Sequence, residues 1–103
     1  MGREPTREEI DARPGPLVLE FGASWCGFCL AARPLFDGEL ARHPGVDHVA
    51  VEDGSGRRLG RSCGVKLWPT FVFLRDGREV ARLVRPRDAA AIADALAKIS
   101  CRA

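Results

Sequence analysis

Apolar residues along the chain fall into short runs separated by glycine, proline and charge, and the spacing within each run predicts an element. Thr6-Arg7-Glu8-Glu9 has the spacing of a capping box, so a short helix is expected over 7–12, ended by Pro14-Gly15-Pro16. Leu17-Val18-Leu19-Glu20-Phe21 is a compact apolar run that suits a strand buried on both faces, with one acid inside it. After Gly22-Ala23-Ser24-Trp25 a helix is expected from Cys26 to about Arg42, bounded by His43-Pro44-Gly45, with Pro34 inside it as a cause of a kink. Val46 to Val51 reads as a second apolar strand, Glu52 to Gly56 as a loop, and 57–62 as a short helix stopping near Gly64. Thr70 to Leu74 and Glu79 to Val84 are β-rich runs joined through Arg75-Asp76-Gly77-Arg78, a hairpin signal because both central turn residues need positive φ. The tail, Pro86 to about Ser100, is an Ala-rich helix that buries Ala89, Ile92, Leu96 and Ile99.

The order is helix, strand, helix, strand, helix, strand, strand, helix. It calls for an α/β fold whose sheet is covered on both faces, with parallel crossovers first and an antiparallel hairpin last. At 103 residues the chain has the size of one domain over 1–103, with residues 1–5 expected to be poorly ordered. Hydrophobic residues at 46% and charged residues at 29% exclude a disordered chain. A net charge of +2 gives no ground for nucleic-acid binding, and no apolar run is long enough to span a membrane. The charged start, Met1 to Glu9, shows no secretory signal, so a cytoplasmic location is expected.

Four cysteines, at 26, 29, 63 and 101, are too few for a disulfide scaffold, and only Cys26 and Cys29 are close in sequence. In a reducing compartment such a C-x-x-C pair means redox chemistry or metal. Cys26 sits where a strand ends and a helix begins, so free backbone N–H groups and the helix dipole favour its thiolate. Cys29, one turn on, lies beside it and deeper, which allows attack on a substrate disulfide by Cys26 and resolution by Cys29. The second step needs Cys29 deprotonated. Glu20, on the adjoining strand in phase with Val18 and Gly22, is expected to be buried in apolar surroundings with a raised pKa, and to exchange the proton with Cys29.

Trp25-Cys26-Gly27-Phe28-Cys29 resembles the thioredoxin signature W-C-G-P-C, with Phe28 in place of the usual proline. Phe21, Ala23, Pro34, Trp68-Pro69-Thr70 and Asp76-Gly77 extend the resemblance over about residues 17–84. It implies a thioredoxin fold, with a central mixed sheet of four to five strands flanked by helices, and thiol–disulfide oxidoreductase activity on protein disulfides without a bound cofactor. It also implies a cis Pro69 packed against the cysteine pair, exposing the backbone of Trp68 to an extended substrate peptide. Glu20 then falls where the family has a buried aspartate. Trp25, Gly27, Phe28, Trp68, Thr70 and Arg85 are expected to line the substrate groove. A thioredoxin reductase is the implied electron donor, and a monomer is expected.

The departures matter for specificity. Glu20 is one methylene longer than aspartate, Gly22 stands where an indole usually supports the site, Trp68 replaces a medium aliphatic, and Arg85 replaces a glycine. Together they suggest a narrower and more selective groove. The family's lysine beside the buried acid has no clear match, and His48, at about that register, reads as an ordinary surface histidine, as His43 does at a helix end. Cys63 reads as a buried structural thiol, with a secondary redox role as its alternative, and Cys101 as too remote to join the site. Two other functions stay open: a more oxidising exchanger for one client, and a non-redox binding module whose cysteines are incidental. Zinc is disfavoured, because Cys63 and the histidines offer no second ligand pair at the right spacing.

Overall fold

The computed structural model describes residues 4–54 and 57–100. Cys101 lies outside the described residues, as do residues 1–3 of the expected ragged start. Helix α1 covers Arg7–Ala12, followed by β1 (Pro16–Gly22), α2 (Gly27–Leu40), β2 (Asp47–Glu52) and α3 (Arg58–Ser62). Strands β3 (Thr70–Arg75) and β4 (Arg78–Val84) precede α4 (Ala89–Ser100). The strands form one mixed four-stranded sheet in the order β2-β1-β3-β4, with β1 parallel to β2 and antiparallel to β3.

Strand alternation builds two cores from one sheet. Val18 on β1 and Phe71 and Phe73 on β3 face α2 and α4, where they meet Ala32, Phe36, Ile92, Leu96 and Ile99. Leu17, Leu19 and Phe21 on β1, with Val72 and Leu74 on β3, face the other way and cover Ile10 of α1 and Leu59 of α3. A strand buried on both faces carries no polar alternation, which is why β1 and β3 read as solid apolar runs.

The local signals act where the sequence places them. Thr6 and Glu9 close a reciprocal capping box on α1. Asp76 and Gly77 turn the β3–β4 hairpin with φ of 52° and 79°. Gly77 also passes so close to the Asp11 backbone that a Cβ there would clash, at 2.0 Å from the Asp11 carbonyl oxygen. The final helix departs from expectation: it begins at Ala89 rather than Pro86, because the Asp88 carboxylate accepts from the Ala90 N–H at 2.7 Å and the Ala91 N–H at 3.2 Å.

Candidate active site

Strand β1 runs out at Gly22, and four residues later the chain starts α2 with Cys26 as its N-cap. The Cys26 sulfur accepts from the Cys29 backbone N–H at 3.4 Å, doing the work a serine or aspartate would do at this position. Cys26 is 7% exposed and Cys29 1%, and Trp68 packs on the small cluster they form with Ala23. Burial acts to raise the pKa of Cys26, but it is outweighed by hydrogen bonds from the Cys29 thiol and the backbone N–H groups of Cys29 and Phe28, and by the charge of Arg85; the net pKa is lowered. Cys29 goes the other way. Burial and the neighbouring Cys26 push its pKa up to about 11, with Glu20 adding to the rise. One turn of helix therefore holds a thiolate-prone sulfur at its mouth and a protonated one behind it.

Glu20 is buried at 2% exposure, as its place among apolar neighbours suggests, but those neighbours are not all apolar. The His48 Nε2 lies 2.8 Å from its Oε1, and Arg33 Nη2 on α2 lies 3.3 Å from its Oε2. Burial favours the neutral acid, yet these two partners overcome it and the Glu20 pKa is lowered, which corrects the expected rise. His48 is likewise no ordinary surface histidine: its ring also packs against Phe36 at 4.9 Å. The register explains both corrections, because His48 pairs with Val18 and so projects on the same face as Val18 and Glu20. A cavity of about 250 Å³ lies beside Glu20, lined by Gly22, Ala23, Ser24 and Arg33 among others.

Gly22 is tied to Cys29 by shape. A Cβ at Gly22 would stand 2.7 Å from the Cys29 sulfur, so the buried thiol fills the space a side chain would need.

Across from the cysteines, the Trp68–Pro69 peptide is cis. The Trp68 indole N–H donates to Asp53 Oδ2 at 2.8 Å, and its ring meets Trp25 edge to face at 5.5 Å between centroids. Trp25 is 74% exposed, and Phe28 at the start of α2 is exposed as well, as are Leu30 and Leu67, the chain neighbours of Cys29 and Trp68. Gly27, at the first position of α2, is exposed with open space around it. The Thr70 side chain does not open onto the surface. It is buried, and its hydroxyl donates to the Leu67 carbonyl at 2.7 Å, bracing the proline loop from within.

Arg85 has a φ of 49°. Its backbone N–H donates to the Pro69 carbonyl at 2.9 Å and its Nε to the Trp68 carbonyl at 2.8 Å. The guanidinium carbon lies 3.9 Å from the centroid of the Phe28 ring. Cys63 lies apart from this cluster, capping α3 and packed against the α1–α3 core, with Arg7 Nη1 at 3.7 Å from its sulfur. Arg33 and Asp53 belong to the site without having been singled out by the sequence. Only Arg33 had a readable signal, standing four residues after Cys29 on the same helix face.

A sequence profile of the family described as Thioredoxin matches residues 3–98. The chain belongs to the thioredoxin family. It is similar to thioredoxin 2 from Pseudomonas aeruginosa PAO1 in its reduced form, with 56% identity and a TM-score of 0.84, covering 94% of this chain and 90% of that one. Thioredoxin NaTrxh from Nicotiana alata superimposes with a TM-score of 0.76 at 26% identity, covering 90% of this chain and 80% of that one. Thioredoxin H5 from Oryza sativa subsp. japonica is 33% identical over 79 residues, covering 77% of this chain and 58% of the rice protein. Other plant thioredoxin relatives are likewise spanned over less than two thirds of their length, 58% for a second rice H-type protein and 18% for the Arabidopsis thaliana TPR repeat-containing thioredoxin TDX. The thioredoxin fold expected from the sequence is the fold these likenesses share.

Proposed function

We propose that the protein is a thiol–disulfide oxidoreductase that reduces disulfides in protein substrates through Cys26 and Cys29. The observation that carries this reading is the opposed tuning of the two thiols within one helical turn, Cys26 lowered and Cys29 raised to about 11. The Cys26 thiolate attacks one sulfur of the substrate disulfide, forming a mixed disulfide and expelling the other sulfur as thiolate, which takes up a proton. Bonding Cys26 removes its negative charge, one of the influences that held the Cys29 proton in place. Cys29 then gives its proton to the Glu20 carboxylate and attacks the Cys26 sulfur. The Cys26–Cys29 disulfide forms and the second substrate thiol departs. Two electrons pass from the dithiol to the substrate, and no bound cofactor enters.

Glu20 is a buried carboxylate rather than a carboxylic acid, so it can accept the proton, and the lowered pKa that His48 and Arg33 give it means that it passes the proton on rather than keeping it. The exposed rings of Trp25 and Phe28 beside the half-buried Trp68 suit an unfolded or extended protein segment rather than a small molecule. A reductase of the kind that serves this family is the matching electron donor, and a monomer in the reducing cytoplasm is the matching setting.

The test is reduction of insulin disulfides by the wild type and by Cys26→Ser, driven first by dithiothreitol and then by NADPH with a thioredoxin reductase. Wild-type turnover abolished in Cys26→Ser is the expected result. Equal activity in the two proteins would return the pair to an incidental role.

A further inference from the structure

Arg85 and Phe28, two positions at which the chain departs from its family's pattern, touch each other. The Arg85 guanidinium spans from the Phe28 ring, 3.9 Å from its carbon, to the Trp68 carbonyl, 2.8 Å from its Nε. That carbonyl is the backbone group expected to pair with a substrate strand. Arg85 reaches it from a left-handed backbone conformation, φ 49°, which arginine adopts rarely and which persists only where surrounding contacts enforce it. Among the described residues no carboxylate forms an ion pair with Arg85. Its fork of donors therefore faces the groove with a full charge and spare hydrogen-bonding capacity.

We propose that Arg85 is the specificity-determining residue of the dithiol site, covering the Trp68 carbonyl in the free protein and admitting disulfide segments that carry a carboxylate beside the reactive cysteine. The proposal rests on the dithiol reading above and names the substrate class it serves. A neutral strand that approaches Trp68 must displace a charge-assisted hydrogen bond and a ring contact, and it offers the guanidinium no charged partner in return. An aspartate or glutamate side chain draws the guanidinium into a bidentate pair, and the released carbonyl then accepts from the substrate backbone. A cavity of about 430 Å³ lies against Phe28 and Arg85, lined also by Ala31, Leu35, Pro86 and Arg87. Its mixed cationic and apolar lining suits a segment that carries an acidic and an apolar residue.

Two disulfide peptides, identical except for Glu or Gln beside the scissile cysteine, test the proposal. Wild type, Arg85→Ala and Arg85→Lys are compared by the ratio of kcat/KM for the two peptides within each protein, which cancels any effect of Arg85 on the Cys26 thiolate. Hydroxyethyl disulfide serves as a small neutral reference. The wild type is expected to favour the Glu peptide roughly tenfold, with the preference shrinking as salt is raised. Arg85→Ala brings the ratio close to one and raises the rate on the Gln peptide relative to the reference disulfide. Arg85→Lys keeps part of the preference, because it retains charge without the planar fork. A wild-type ratio near one, or a salt-independent preference, overturns the proposal even if Arg85→Ala does not fold. So does an undiminished ratio in Arg85→Ala. If the wild type reduces neither peptide nor hydroxyethyl disulfide, the dithiol reading fails first and the proposal with it.

Discussion

His48 Nε2 lies 2.8 Å from Glu20 Oε1, joining β2 to β1 through the only acid in an otherwise apolar strand. A carboxylate buried without partners would sooner take a proton than keep its charge. With His48 on one oxygen and Arg33 on the other, Glu20 keeps the charge and its pKa falls below the ordinary 4.5.

This sets a sign for acid stability. A group whose folded pKa is lower than its unfolded value stabilises the fold above the unfolded value, and that contribution is lost as pH falls through the folded one. Glu20 therefore stabilises the protein above about pH 4.5 and stops doing so in acid. In His48→Leu, burial loses one of its two opponents and the Glu20 pKa rises. We expect a loss of about 1–3 kcal/mol at neutral pH and a flatter decline of stability between neutral and acid. Urea denaturation at both pH values, with carbon NMR titration of Glu20, measures both; an unmoved Glu20 pKa would contradict the assignment.

The two thiols should differ sharply in alkylation. Cys26, with its lowered pKa, is expected to react with iodoacetamide at neutral pH, and Cys29 only as pH approaches about 11. Peptide mapping by mass spectrometry distinguishes the sulfurs. Equal labelling of both at neutral pH is incompatible with the opposed tuning.

Much of this was legible in the chain. β1 and β3 declare themselves because burial on both faces leaves only apolar residues, and Cys26 declares itself by standing between a strand and a helix. The pairing of Glu20 with His48 was not legible, because it depends on the register of β2 against β1, which local pattern does not fix. Arg33 carried a positional signal, four residues after Cys29, but a half-exposed arginine on a helix usually meets water, and nothing local points it at Glu20. Thr70 entered the expected groove through the resemblance of Trp68-Pro69-Thr70, while the fold buries its side chain on the Leu67 carbonyl. Asp88 took the start of α4 from Pro86 because a capping carboxylate outbids a proline's preset φ.

Asp53 sits in the loop after β2 and anchors the Trp68 indole at 2.8 Å, while its own N–H donates to the Gly22 carbonyl at 2.8 Å. The chain lacks an indole at position 22, and the one at position 68 is fixed to the end of the same strand through Asp53. Asp53→Ala leaves the indole N–H without this acceptor. The expected cost is about 1–2 kcal/mol in stability, with altered tryptophan fluorescence from the Trp25–Trp68 pair. Unchanged fluorescence and stability together would mean that the indole is held by packing alone.

Gly22→Ala probes the second chemical step apart from the first. The added Cβ would lie 2.7 Å from the Cys29 sulfur, well inside contact distance, and 3.7 Å from its Cβ, which is ordinary contact. The thiol must therefore rotate or shift while its backbone stays in place. Overpacking of this kind costs about 1–3 kcal/mol in stability. Cys26 keeps the Cys29 and Phe28 N–H groups and the charge of Arg85, while any weakening of its hydrogen bond from the displaced Cys29 thiol shows as slower formation of the mixed disulfide, read separately from its decay. Resolution depends on the Cys29 sulfur reaching Cys26, so the mixed disulfide should accumulate in Gly22→Ala as it does when Cys29 is replaced by serine, though to a smaller extent. Mass spectrometry after acid quenching follows that adduct over time. If Gly22→Ala resolves it as quickly as the wild type, the fit between Gly22 and the Cys29 sulfur has no part in the exchange.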